Sequence, residues 1–287
     1  MEYDKQLLVV FEWLDNDENQ NIADLDIDKY LAEVKDIGIS SAEKLRQFAI
    51  YLEGNYMGES AYETWQKVKK FYDAASDQEP NNITVLESVG ISVNFYGVVE
   101  KDPMLQQEIF ADGKEALMKA IEIDSSNAQL WYTLGLNEYD NHKGEIEQAL
   151  IWFTKAIELD SNYYMAQMYL GHCYFDKEQW EKALGAFKKV DKIKLSVEFP
   201  IWRLHKLNEL IACCYAEIGQ KEIALELCSD LLTIYESYNK DEWKDYLAYP
   251  DELVKVVSTE LRDSLYIRLY NCLEKFDLLD YYSTVLK

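Results

Sequence analysis

Apolar positions along this chain return every three or four residues, the spacing of one helical face, and polar turns separate the periodic stretches. Tyr3 to Leu14, Ile27 to Ile37 and Glu43 to Asn55 read as helices in this way. Further along, the stretches begin to copy one another. Ala120-Ile121-Glu122-Ile123-Asp124-Ser125 returns as Ala156-Ile157-Glu158-Leu159-Asp160-Ser161. Trp131-x-x-Leu134-Gly135 and Ala149-x-x-x-Phe153 lead into the second copy. Leu170-Gly171-x-x-Tyr174, Ala183-x-x-x-Phe187 and Val190 then repeat the pattern, with Ala183 lying 34 residues after Ala149. A third round, Ile211-Ala212-x-x-Tyr215, Ala224-x-x-x-Cys228 and Leu231, sets Ala224 a further 41 residues on. It therefore holds 7 additional residues, expected between Lys194 and Leu204 around Pro200.

A helix-turn-helix unit of this length, with these residues at these places, resembles the tetratricopeptide repeat. The likeness covers residues 128 to 238 and extends less completely back to 83. There Val89-Gly90 opens one helix and Gly113-x-x-x-Leu117-x-x-Ala120 marks its partner, with an enlarged turn expected at Lys101-Asp102-Pro103. Tyr72-x-x-Ala75 before Glu79-Pro80-Asn81-Asn82 matches a repeat ending. The resemblance implies an all-α, right-handed α-solenoid of antiparallel helix pairs, about five or six in number, degenerate at both ends. The expected organisation is an acidic helical segment over 1–42, an array over 43–238 with its best repeats at 128–163, 164–197 and 205–238, and capping helices over 239–287. The tail from Asp251 reads as a long amphipathic helix, a break near Phe276-Asp277 and a short last helix. The small residues have a packing reason: Gly135, Gly171 and Ala212 on one helix, and Ala149, Ala183 and Ala224 on its partner, let the two axes approach closely.

In this family the first helices of successive pairs line a groove that holds a partner segment. Register places Tyr132, Leu136 and Tyr139 there from one repeat, Met165, Met168, His172 and Phe175 from the next, and Lys206, Glu209 and Cys213 from the third. Tyr, Met and Phe supply adaptable apolar contact for an amphipathic helix or extended apolar segment. The alternative is that these side chains are core, or are covered by the chain's own additional segments. Family members that grip acidic chaperone tails use a clamp of Lys, Asn and Arg, and Lys206 is the one base at the matching positions here, so that clamp is missing. The groove looks more like that of secretion chaperones of the family, which hold apolar segments.

Charge sharpens the picture of the partner. The 287 residues carry 29 Lys+Arg against 53 Asp+Glu, a net charge of -24. Such a field repels nucleic-acid phosphates and anionic lipid and favours a protein or peptide with apolar and basic character. An acidic inhibitor or immunity-type protein that neutralises a basic toxin or nuclease is the second reading of that charge. The one basic stretch, Lys188, Lys189, Lys192, Lys194, Arg203 and Lys206, is either a solvated helix face or a dock for another copy's acidic end or a separate acidic partner. Only 4 Pro and 11 Gly interrupt the pattern, which suits long helices. The start lacks a basic flank, and the apolar run Leu7 to Phe11 is too short for a secretory signal or a membrane span. Five cysteines without metal or disulfide spacing suit a reducing, cytoplasmic setting.

Candidate chemistry is sparse. Asp15, Asp17, Asn19, Asn21 and Asp26, with Ile22 between, space oxygen ligands as an EF-hand loop does, so a weak Ca²⁺ site is one expectation for 15–26. Gln20 stands where Gly makes the bend and Asp26 is shorter than the usual Glu; a solvated acidic linker is the other reading. His142, His172 and His205 are far apart and no nucleophile or phosphate-loop motif occurs, so no catalytic residue is assigned and no other cofactor is expected. His172, in the groove register, is the one histidine placed to tune binding near neutral pH, an ordinary packing or hydrogen-bonding role being the other reading.

Overall fold

The computed structural model describes residues 27–36, 41–55, 60–246, 249–260 and 263–286. The described residues form helices and turns without a strand. They divide into two compact units, Met1–Tyr163 and Tyr164–Lys287. The EF-hand-like positions Asp15, Asp17, Asn19, Asn21 and Asp26, and the apolar stretch Tyr3 to Leu14, lie outside the described residues.

In the first unit α1 (Ile27–Asp36) precedes three antiparallel pairs: α2 (Ala42–Asn55) with α3 (Ala61–Gln78), α4 (Ile83–Val99) with α5 (Pro103–Ile123), and α6 (Ala128–Asp140) with α7 (Ile146–Leu159). Short polar residues set the starts. Ser60, Asn82, Asp102 and Asn127 each accept a backbone N–H of the first helical turn, relieving donors the helix cannot pair internally. Asp102 also corrects the enlarged turn expected at 101–103: with Pro103 as the first helical residue, the additional length goes into a 21-residue α5. The first helices α2, α4 and α6 neighbour one another, and α3 and α5 back them. Their shared core holds Phe48 against Phe71 at 4.5 Å and Trp65 against Tyr96 at 5.7 Å.

The second unit pairs α8 (Tyr164–Asp176) with α9 (Trp180–Phe187), continues through α10 (Lys192–Glu198), and pairs α11 (Trp202–Glu217) with α12 (Lys221–Ser237). Helix α10 is 7 residues long and accounts for the length that displaces the third repeat. After the short α13 (Lys240–Tyr246), the tail is two helices, α14 (Asp251–Glu260) and α15 (Asp263–Lys275), packed on α12. The expected break near Phe276 is present, with Asp277 in the left-handed region at φ 60°, and turns follow it in place of a last helix.

Candidate functional site

The residues assigned to the groove by register fall in both units, and each set is described within its own. On α6, Tyr132 is buried against Phe153 (6.1 Å) and Tyr163 (5.0 Å), while Leu136 and Tyr139 are half-buried. On α8, Met165 and Met168 are buried, and His172 and Phe175 are half-buried. The expectation of Tyr and Met side chains open to solvent is therefore corrected at Tyr132, Met165 and Met168. Their large apolar surfaces are more stable out of water, and the fold gives them that place.

On α11 the corrected residue is Glu209, which is buried, accepts the Tyr235 hydroxyl at 2.6 Å and lies 3.6 Å from the Lys206 ammonium. Burial pushes its carboxyl up to about 8 despite that ammonium. Lys206 itself is held by α14: its ammonium pairs with Glu252, donates to the Tyr249 carbonyl at 3.1 Å and lies 3.8 Å from Asp251. A base already engaged by Glu252 and Asp251 has little attraction left for an acidic ligand.

His172 sits between Tyr169 (5.6 Å) and Phe187 (5.5 Å), and burial, reinforced by the charges of Lys206 and Arg203, pushes its imidazole down to about 4. The lowered value favours the neutral ring near pH 7, which speaks for a packing role at this position. His205 meets the Tyr238 hydroxyl at 2.7 Å, and His142 donates its backbone N–H to Gln106 at 3.1 Å. No group of three or more His, Cys, Asp or Glu side chains able to hold a metal occurs among the described residues.

Among the described residues of the first unit, one exposed apolar row lies on a helix absent from the sequence-based assignment. Helix α4 is strongly apolar on average and has no continuous polar face, a composition that ordinarily belongs to an enclosed helix. Val85, Val89, Val93 and Tyr96 are buried, yet Ile91, Phe95 and Val98 are 51%, 47% and 51% exposed. Spaced four and three apart, these three share one stripe, with Glu87 a turn earlier. Asn94 of α4 donates to Asp140 of α6 at 2.8 Å, and Asp140 shares its helix face with Leu136. Three half-buried carboxylates attend this layer. Burial raises Asp140, Glu87 and Glu53 above their ordinary values, the last to about 7. The cue in the sequence was the missing polar face between Ile83 and Val99.

The profile of the family described as tetratricopeptide repeat matches residues 128–163. No curated protein matches the chain significantly. Among solved structures, the C-terminal part of a TPR repeat-containing protein from Cytophaga hutchinsonii is similar at a TM-score of 0.56 and 15% identity, over 91% of this chain and 95% of that one. PilF of Pseudomonas aeruginosa is similar at a TM-score of 0.50 and 13% identity, over 84% and 93%. At such identity these likenesses establish the fold. Among the described residues no helix is long and apolar enough to cross a membrane. The chain thus carries a tetratricopeptide repeat at residues 128–163, within an all-α arrangement of antiparallel helix pairs of the same fold.

Proposed function

We propose that this chain is a non-catalytic protein-interaction scaffold in a reducing, cytoplasmic setting, and that the α4–α6 face of its first unit holds a partner segment whose apolar residues are flanked by Lys or Arg. The observation that carries the reading is the half-exposed row Ile91, Phe95 and Val98 on a helix with no continuous polar face. Leaving such a row in water forfeits burial free energy that a bound segment would recover. The basic flank follows from Glu53, Glu87 and Asp140, carboxylates whose charged forms are disfavoured by burial and would be favoured by an incoming cation. Leu136 and Tyr139 extend the contact, whereas Tyr132, Met165, Met168 and Glu209 support helices from beneath. His172, Phe175 and Lys206 belong to the second unit and stand as a separate contact set.

A photo-crosslinking side chain at position 95, with the captured protein identified by mass spectrometry, tests this. Capture should vanish in Ile91→Asp plus Val98→Asp while the helical circular dichroism is unchanged; capture that persists would remove the assignment. The inhibitor reading separates by salt. Residues 1–163 hold 32 acidic against 13 basic side chains, and affinity resting on that charge would fall steeply between 50 and 500 mM salt, as rough bounds, whereas apolar capture would change little.

A further inference from the structure

Helix α10 carries the most exposed aliphatic side chains among the described residues of the second unit: Ile193 at 78% and Val197 at 79%, one turn apart on the same side. It is a built platform. Asp191 caps its start by accepting the N–H groups of Ile193 and Lys194, Leu195 is buried beneath it, and the Tyr164 hydroxyl donates to Glu198 at its end. Exposed Lys188, Lys189, Lys192 and Lys194 surround the aliphatic pair, with Lys188 over the Tyr215 ring and Lys192 donating to Asn208. Basic charge with two protruding aliphatics is unlike an ordinary solvated helix face.

The sequence also separates charge. Residues 1–163 have 32 acids and 13 bases, while residues 164–287 have 21 and 16. On the first unit a cavity of about 310 Å³ bordered by α3, α4 and α5 combines an apolar floor, Leu86 and Val89, with Asp73, Asp77, Asp112 and Glu115; Lys69 pairs with Asp112 and Lys119 with Glu115, which leaves Asp73 and Asp77 as the acidic excess of the lining. Burial and the neighbouring acids Asp112, Asp77 and Glu115 hold the Asp73 carboxyl above its ordinary range even with Lys69 beside it, so added positive charge is favoured there.

We propose that α10 docks on a second copy of this chain, seating Ile193 and Val197 on the apolar floor of that copy's acidic cavity and Lys189 and Lys194 against its carboxylates. The contact is heterologous, joining different surfaces of the two copies, so it propagates into chains or closes into rings. At physiological salt the Debye length of about 8 Å confines the net repulsion of two acidic copies, leaving the facing groups to decide.

Sedimentation velocity of the full chain up to about 100 μM tests this, a range that reaches weak specific association. Wild type should associate with rising concentration, and Ile193→Asp plus Val197→Asp should weaken association by at least about tenfold with the helical signal unchanged. Lys189→Glu plus Lys194→Glu, and separately Asp77→Lys plus Glu115→Lys, should each sediment as monomers. Their equimolar mixture should associate, because the intact knob of the cavity variant meets the intact cavity of the knob variant, and the two reversed surfaces complement each other as well. A wild type that stays monomeric, a knob variant that associates like wild type, or a mixture that stays monomeric would each overturn the proposal. Binding of monomeric wild type to phosphatidylserine-containing vesicles, lost in Ile193→Asp plus Val197→Asp, would overturn it in favour of a bilayer partner.

Discussion

The ring of Phe153 occupies the space a side chain on Gly135 would need: a Cβ placed there falls 2.6 Å from the ring. The same relation recurs between Gly171 and Phe187 at 2.4 Å, so each repeat closes its helix pair with a bare backbone against an aromatic face. In an exposed helix Gly→Ala stabilises by about 1 kcal/mol. Here Gly135→Ala and Gly171→Ala should instead destabilise by about 1–3 kcal/mol through overpacking. Urea denaturation measures this, and adding Phe153→Leu to Gly135→Ala should recover part of the loss.

Burial separates two apolar positions that register treats alike. Met168→Glu buries an unpartnered charge and should lower stability by more than about 3 kcal/mol. Phe95→Gln removes a half-exposed side chain and should stay within about 1 kcal/mol of wild type. Thermal denaturation of both variants checks the contrast, and near-equal losses would contradict the packing described.

Stability should depend on pH in opposite senses at two positions of the second unit. Glu209 has its carboxyl raised from 4.5 to about 8, so the folded state binds the proton more tightly than the unfolded chain does. Its contribution is fully present below pH 4.5 and is lost as pH rises toward 8. His172 is lowered from 6.5 to about 4, so its contribution is present above 6.5 and is lost as pH falls toward 4. Between pH 6.5 and 8 the Glu209 slope stands alone of the two. Glu209→Gln should flatten stability in that window, and His172→Phe should flatten it between 6.5 and 4, both read as urea midpoints across pH.

The five cysteines are buried and in no disulfide, and burial pushes Cys214 and Cys228 up to about 12 and Cys213 and Cys272 up to about 11. Thiolate is the reactive form. Native protein at pH 7 should therefore react negligibly with a thiol reagent such as dithionitrobenzoate, with all five groups appearing in denaturant. Fast labelling of the folded chain would contradict this burial.

The helix pairs were legible because each depends on contacts between residues close in sequence. Gly135 with Phe153 and Gly171 with Phe187 pair across one turn, so their identities record the packing directly. The 7 residues that displaced Ala224 marked additional length near Pro200, and the structure shows a short helix, α10, beginning just before that stretch. The candidate surface was less legible. Register put Tyr132 and Met168 on the binding side, but whether a side chain there meets water depends on what stands over it, and both are covered. Helix α4 hid its exposed row for the opposite reason, since a helix with no continuous polar face gives no phase from which to choose the open face.

By itself the sequence determined the helical-hairpin repeat, its period near residues 128–190, the strong acidity and the lone basic stretch, because composition and short-range spacing fix these without reference to distant neighbours. Only the tertiary structure decided that Lys206 is engaged by Glu252, that Glu209 and Met168 are interior, and that Ile91, Phe95, Ile193 and Val197 face solvent. Exposure and ionisation are properties of a side chain's surroundings, and those surroundings are assembled from residues tens of positions away.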